Sequence, residues 1–256
     1  LIRQKIQARL GGKLKYFISG GAALNPEIGS FFMALGVKLL QGYGQTEASP
    51  VISANRPGKI KIETVGPPVA GVEVRFANDG EILVRGDLLM KGYWRDDHST
   101  AATIRDGWLY TGDIGTCDDD GYITITGRKK EIIVNSGGEN IVPSRVEALL
   151  TIEPEIEQAL VDGDRRPWLA AVIVPSADAR AAAASDEALK LLIAETVERA
   201  NSRLSQIERV RRFIIADEGF TTENSQLTAT LKVRRHIVRA QYQDRIAALY
   251  TRGKQY

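Results

Sequence analysis

Gly127, Arg128, Lys129, Lys130, Glu131, Ile132, Ile133, Val134, Asn135, Ser136, Gly137, Gly138, Glu139 and Asn140 place three cations, an apolar stretch and a glycine pair in direct succession. The composition of the 256-residue chain changes across this run. Of the 24 glycines, 21 lie at or before Gly138, and all nine prolines lie at or before Pro175. Two differently built halves are expected, with the boundary at residues 128–130. Taken alone, the run also fits a solvated turn with a strand behind it.

Upstream of the boundary the apolar period is two. Val72, Val74 and Phe76 alternate before the turn Asn78, Asp79, Gly80, and Ile82 and Val84 alternate after it, which is a β-hairpin signal. A second hairpin is expected from Tyr110–Cys117 and Tyr122–Thr126 around Asp118, Asp119, Asp120, Gly121. Residues 64–127 therefore read as β-rich. Residues 1–63 read as α/β: the apolar run Leu14, Tyr16, Phe17, Ile18 ends in a glycine turn. Ile28, Phe31, Phe32 and Leu35 then share a helical face after Pro26, and Val37, Leu39 and Leu40 form a strand.

Downstream, helices are expected over about 143–151, 188–204 and 232–250, alternating with strands near 157–161, 168–174 and 209–215. The alanine-rich 179–184 reads as a loop merging into helix. This is the pattern of a small α+β domain over 131–256.

Composition excludes several classes. With 26% charged and 43% hydrophobic residues the chain is neither disordered nor fibrous. Cys117 stands alone, so no internal disulfide or cysteine-rich zinc site can form, and a reducing, cytoplasmic setting is expected. Only His98 and His236 supply imidazoles, too few for a multi-histidine metal centre. No apolar run reaches the roughly 20 residues of a membrane helix, no signal peptide is recognised, and a peripheral membrane contact is left open. The net charge is +2, yet from Arg199 onward 12 basic side chains face 5 acidic ones. A solvated helical surface explains most such surpluses, and polyphosphate or nucleic-acid binding the minority.

Four stretches carry chemistry. In Gln41, Gly42, Tyr43, Gly44, Gln45, Thr46, Glu47, two glycines let the backbone approach a flat ligand beside an aromatic ring, and Thr46 and Glu47 supply a hydroxyl and a carboxylate suited to phosphate and Mg²⁺. A turn with a buried tyrosine fits the same residues. In Tyr110, Thr111, Gly112, Asp113 the carboxylate is an acceptor matched to vicinal hydroxyls, or to backbone amides of its own turn. The run at 127–140 is the third. The fourth is Leu227, Thr228, Ala229, Thr230, Leu231, Lys232, where a lysine ends a polar loop just before a helix. Two further stretches are set aside. Asp118–Gly121 lacks the glutamate a calcium loop needs at its twelfth position, and Gly20, Gly21, Ala22, Ala23 lacks the third glycine of a dinucleotide fingerprint.

Ser19–Leu24 (SGGAAL), Gln41–Glu47 (QGYGQTE), Tyr110–Asp113 (YTGD) and Gly127–Asn140 (GRKKEIIVNSGGEN), in this order, resemble successive core motifs of the adenylate-forming superfamily of acyl-CoA synthetases, peptide-synthetase adenylation domains and luciferases. The double glycine at 137–138 and the form LTATLK at 227–232 are similar to the long-chain fatty acyl-CoA synthetases. Many relatives carry a single glycine in the first motif and a glycine before the lysine in the second.

The resemblance implies the α/β and β-rich end of a large N-terminal domain over 1–127, a hinge at 128–130 and a mobile α+β C-terminal domain. It implies activation of a fatty acid with MgATP to an acyl-adenylate, then transfer to coenzyme A; no nucleic-acid partner is expected. By position, Gly21 and Ala22 line adenine, Tyr43 between Gly42 and Gly44 stacks on it, Thr46 contacts phosphate and Glu47 holds Mg²⁺. Asp113 and Arg128 take the ribose hydroxyls, and Lys130 is the hinge. Lys232 bridges carboxylate and α-phosphate, while Gly137 and Gly138 face the site in the second step. The late basic surplus would help receive coenzyme A phosphates. The family's phosphate loop has no counterpart in residues 1–18, so the chain is expected to be the C-terminal half of an enzyme and not to turn over ATP by itself. An acyl-AMP ligase that loads a carrier protein, and a non-catalytic binding protein, are the alternatives.

Overall fold

The computed structural model describes residues 2–22 and 24–251; Ala23, within the SGGAAL stretch, lies outside them. The chain divides into two compact units after Lys130.

The first unit opens with α1 (Ile2–Arg9), β1 (Phe17–Ser19), α2 (Pro26–Ala34), β2 (Leu39–Tyr43) and β3 (Ser53–Ala54). β1 and β2 run parallel with α2 as the crossover, and β3 is antiparallel to β2. Asn25 starts α2 by accepting from the Glu27 amide at 2.8 Å, with Pro26 supplying a preset φ at the first helical position. The apolar face expected on α2 forms but does not enter the core: Ile28, Phe31 and Phe32 are exposed, and Gly29 is the buried position. A Cβ at Gly29 would lie 2.8 Å from Ile62, so absence of a side chain is what lets the helix rest there.

Next come β4 (Glu73–Phe76), β5 (Glu81–Arg85), α3 (Asp97–Thr103), β6 (Ile104–Arg105), β7 (Trp108–Cys117) and β8 (Ile123–Arg128). Both hairpins form as the alternation predicts, β4 with β5 and β7 with β8. β7 joins them, pairing with β5, β6 and β8. Ile82, Val84, Leu109 and Ile123 close over Ala48 and Ile52 as the core of this unit. The Asp118–Gly121 stretch is a turn: Asp118 accepts from the amides of Asp120 and Tyr122, and Lys61 pairs with Asp118 and Asp120.

The second unit contains β9 (Ile133–Val134), β10 (Asn140–Ile141), α4 (Pro143–Thr151), β11 (Ile156–Asp162), β12 (Leu169–Pro175), α5 (Ala177–Ala182), α6 (Asp186–Asn201), β13 (Val210–Ile215) and α7 (Arg235–Thr251). β12 is buried at every position and lies between antiparallel β11 and parallel β13. A strand with both faces covered reads as a continuous apolar run. One face packs under α4 and α6 through Val146, Leu150, Ile173 and Ile193, and the other under α7 through Leu160, Val172, Val238 and Tyr242.

Two sequence expectations are corrected here. The alanine-rich stretch is not a loop but largely α5, because Ser176 caps it by accepting from the Ala179 amide at 3.2 Å. The last helix begins at Arg235 rather than 232, because Leu227 and Val233 form an antiparallel bridge that holds 228–232 as a tight loop.

Candidate functional site

In the first unit, β1 and β2 are parallel neighbours with Ser19 opposite Gln41, so the turn bearing Gly21 and Ala22 and the stretch from Gly42 onward leave the same end of the sheet. Ligands of open parallel sheets bind beyond those carboxyl ends. Gly21 has φ +83° and a Cβ there would meet nothing within 4 Å, an open turn that favours glycine. Gly44 is glycine for another reason than ligand approach. A Cβ would sit 1.7 Å from the Pro50 carbonyl oxygen, so the chain's own backbone occupies that side. At Gly42 the same approach is made by the Ser53 carbonyl, at 3.3 Å.

Tyr43 ends β2, half-buried, and its hydroxyl donates to Asp113 Oδ2 at 2.7 Å. Register places Asp113 on β7 opposite Arg128 on β8, and Arg128 Nε donates to Asp113 Oδ1 at 2.8 Å. The Asp113 side chain is only 9% exposed, and these two donors satisfy a carboxylate that water scarcely reaches. Each carboxylate oxygen has a second lone pair, which leaves acceptor capacity for a diol. Burial, and next the Asp113 charge, push the Tyr43 phenol far above its ordinary range, so it remains a donor.

Thr46 and Glu47 lie in a short 3₁₀ turn, Thr46–Ala48. Glu47 Oε1 accepts from the Tyr93 hydroxyl at 2.9 Å, and Oε2 has no protein partner among the described residues. Among the described residues no cluster of three His, Cys, Asp or Glu side chains could hold a metal alone. One oriented carboxylate with a spare oxygen fits Mg²⁺, which keeps waters and takes one or two carboxylates beside substrate phosphates.

Two participants, Tyr93 and Glu81, were not singled out from sequence. Tyr93 orients Glu47. Buried Glu81 accepts from the Gly112 amide at 2.9 Å and from Lys129 Nζ at 2.8 Å, tying the Asp113 turn to the residue before Lys130. Lys129 also pairs with Asp79 at 2.5 Å, and this holds the Asp79 carboxyl below its usual range. These partners are 31 to 50 residues apart, so no local pattern announces them. A carboxylate in the strand run Glu81–Arg85 was the one available signal.

Lys130 is the last residue of the first unit, within the 3₁₀ turn Lys129–Glu131. The second unit carries the remaining residues. Gly137 and Gly138 form the exposed turn between β9 and β10; Gly138 has φ +83°, and Asn135 Oδ1 accepts from the amides of Gly137 and Glu139 at 2.9 and 3.0 Å. Lys232 is exposed, and its loop is closed by Thr228, whose hydroxyl and amide bond the Lys232 amide and carbonyl at 3.0 and 2.8 Å. Leu231 before it has φ +60° and is 72% exposed. Glycine adopts that left-handed backbone without the strain that a side chain brings.

Downstream of this loop Arg235 is fixed. It donates to Glu131 at 3.2 Å and to Glu147, and Glu147 accepts from the Val161 amide at 2.7 Å. Burial pushes the Glu147 carboxyl up, and the Arg235 charge opposes that shift.

Comparison with known proteins gives the family of the chain. Residues 2–94 match the family model described as AMP-binding enzyme, and residues 130–254 the AMP-binding enzyme C-terminal domain. The chain belongs to the AMP-binding, adenylate-forming enzymes. It is similar to the long-chain-fatty-acid–CoA ligase FadD15 of Mycobacterium bovis, 40% identical over 98% of this chain and 44% of that protein. It is also similar to the long-chain-fatty-acid–[acyl-carrier-protein] ligase AEE15, chloroplastic, of Arabidopsis thaliana, 34% identical over 98% of this chain and 38% of that protein. Among solved structures, the A-PCP didomain of carboxylic acid reductase from Segniliparus rugosus in complex with AMP superposes with TM-score 0.83 at 30% identity, over 98% of this chain and 36% of that one. The chain thus spans less than half the length of these relatives. Among the described residues no helix is long and apolar enough to cross a membrane.

Proposed function

We propose that this chain supplies the nucleotide-reading, hinge and lysine-bearing parts of an AMP-forming ligase that activates a long-chain fatty acid and transfers it to coenzyme A. The Tyr43–Asp113–Arg128 hydrogen-bonded chain carries the reading, because it joins three separately recognised motifs in one acceptor site. Asp113 takes the ribose hydroxyls with Arg128 beside it, the Tyr43 ring meets adenine, and Gly21 and Ala22 complete that wall. Thr46 contacts phosphate. Glu47, oriented by Tyr93, would hold Mg²⁺, which neutralises phosphate charge when bound.

The obstacle in the first step is that a carboxylate must approach a polyanion. A cation or donor aimed at charge developing in the transition state is worth about 3–4 kcal/mol in comparable sites. Lys232 has that role here, being exposed and without an ion-pair partner among the described residues. Rotation at Lys130 then exchanges the Lys232 face for that of Gly137 and Gly138 in thioester formation. The relative from Arabidopsis supports a second reading, transfer to an acyl carrier protein.

The test uses a protein that carries this chain together with an upstream phosphate loop. Fatty acid and MgATP should release pyrophosphate, and coenzyme A assayed against acyl carrier protein identifies the acceptor. Lys232→Ala should collapse the first half-reaction while thioester formation from supplied acyl-adenylate survives. Equal loss of both would refute the role of Lys232.

A further inference from the structure

The basic surplus of the last part of the chain has no place in the nucleotide-reading motifs, and part of it converges on one edge. Among the described residues β13 is the outer strand of the β11-β12-β13 sheet. Phe213 and Ile215 pack into the cluster under α6, and Ile214 into the one under α7. By the same alternation Arg212 stands on the α7 side, while Arg211 is the exposed extra residue where the β12–β13 register shifts between Val210 and Arg212. A cavity of about 400 Å³ opens along this edge, bounded by Lys190 of α6, by Arg211, Arg212, Phe213 and Ile214, and by Arg245 of α7.

The backbone there is also available. The Ala216 amide donates to the Ile173 carbonyl at 2.8 Å, and in a parallel ladder alternate residues turn both backbone groups toward the neighbour. The backbone N–H and C=O groups of Phe213 and Ile215 therefore point away from β12, toward the open edge. The Ile215 carbonyl is taken by Arg245 at 2.9 Å, a residue itself paired with Asp217 at 2.8 Å. Lys190, Arg211 and Arg212 have no ion-pair partner among the described residues.

We propose that this edge receives an extended acidic peptide segment, which adds to β13 as a further strand. A backbone supplies a donor and an acceptor in alternation, as Phe213 requires, whereas a phosphate chain at neutral pH offers acceptors. The segment's side chains fall alternately to the two banks, so consecutive Asp or Glu residues meet Lys190 of α6 on one side and Arg212 on the other, with Arg211 at the bulged end of the edge. Like charge along the edge disfavours a second copy of this chain at the same place. The site is independent of the nucleotide-reading residues.

The experiment titrates the 256-residue chain into a fluorescently labelled oligoglutamate peptide and follows anisotropy. Saturable binding is expected, weakened about tenfold, about 1.4 kcal/mol, by Arg211→Glu with Arg212→Glu, and similarly by N-methylation of alternate peptide amides. Lys190→Glu, on an exposed helix surface, provides a second variant if the strand variants fail to fold, and it should also weaken binding. No binding by the unmodified chain, equal affinity for the N-methylated peptide, or inorganic polyphosphate binding as tightly with the same response to the charge reversals would overturn the proposal.

Discussion

Tyr43 and Asp113 stand 70 residues apart in sequence, and the hydroxyl of one donates to the carboxylate of the other at 2.7 Å. The bond ties β2 of the small sheet to β7 of the five-stranded one, and it aims an acceptor that Arg128 alone would leave free to turn.

Tyr43→Phe keeps the ring and removes this bond. Hydrogen bonds to charged groups contribute about 1.5–3 kcal/mol, so a loss near the lower end is expected in urea unfolding of the chain. The pH dependence has a definite sign. The folded phenol is raised by burial and by Asp113, while an unfolded tyrosine ionises near ~10. The Tyr43 contribution is therefore complete below about pH 10 and declines above it, and Tyr43→Phe should flatten the alkaline fall in stability. An unchanged alkaline slope would count against a raised phenol.

Arg235→Leu should destabilise by about 3 kcal/mol or more, because it strands the buried Glu147 carboxylate. Glu131→Gln, at the more exposed partner, should cost less than about 1 kcal/mol. Denaturant midpoints of both variants check the order; comparable losses would place the main anchor of Arg235 at Glu131 instead.

Lys232→Ala should leave stability within about 0.5 kcal/mol, since the side chain is exposed and only its backbone closes the loop. Leu231→Val should be worse than Leu231→Gly by about 1 kcal/mol or more, because a β-branched residue tolerates the φ of +60° poorly. Thermal unfolding of the three variants tests both statements.

Much of this was legible in the sequence because it is local. The alternation at 72–84 and 110–126 produced both hairpins, and helical spacing with Pro143 and the apolar residues after it produced α4. The motif strings named Tyr43, Asp113 and Arg128, which the structure joins by hydrogen bonds. What escaped depends on pairings across long stretches: Tyr93 with Glu47, Glu81 with Gly112 and Lys129, and Arg235 with Glu131, 104 residues away. Gly44 was read as making room for a ligand, yet the Pro50 carbonyl fills that space. The α2 stripe was read as a helix face correctly, but periodicity does not say what the face meets.

The central claim is that Asp113, held by Tyr43 and Arg128, reads a nucleotide ribose. Amide hydrogen exchange of the 256-residue chain with and without saturating AMP tests it most directly. Slowed exchange is expected in 41–47 and 110–113, lost with Asp113→Asn and weaker with 2′-deoxy-AMP. Equal protection by AMP in the Asp113→Asn chain, or protection that avoids both segments, would contradict the account.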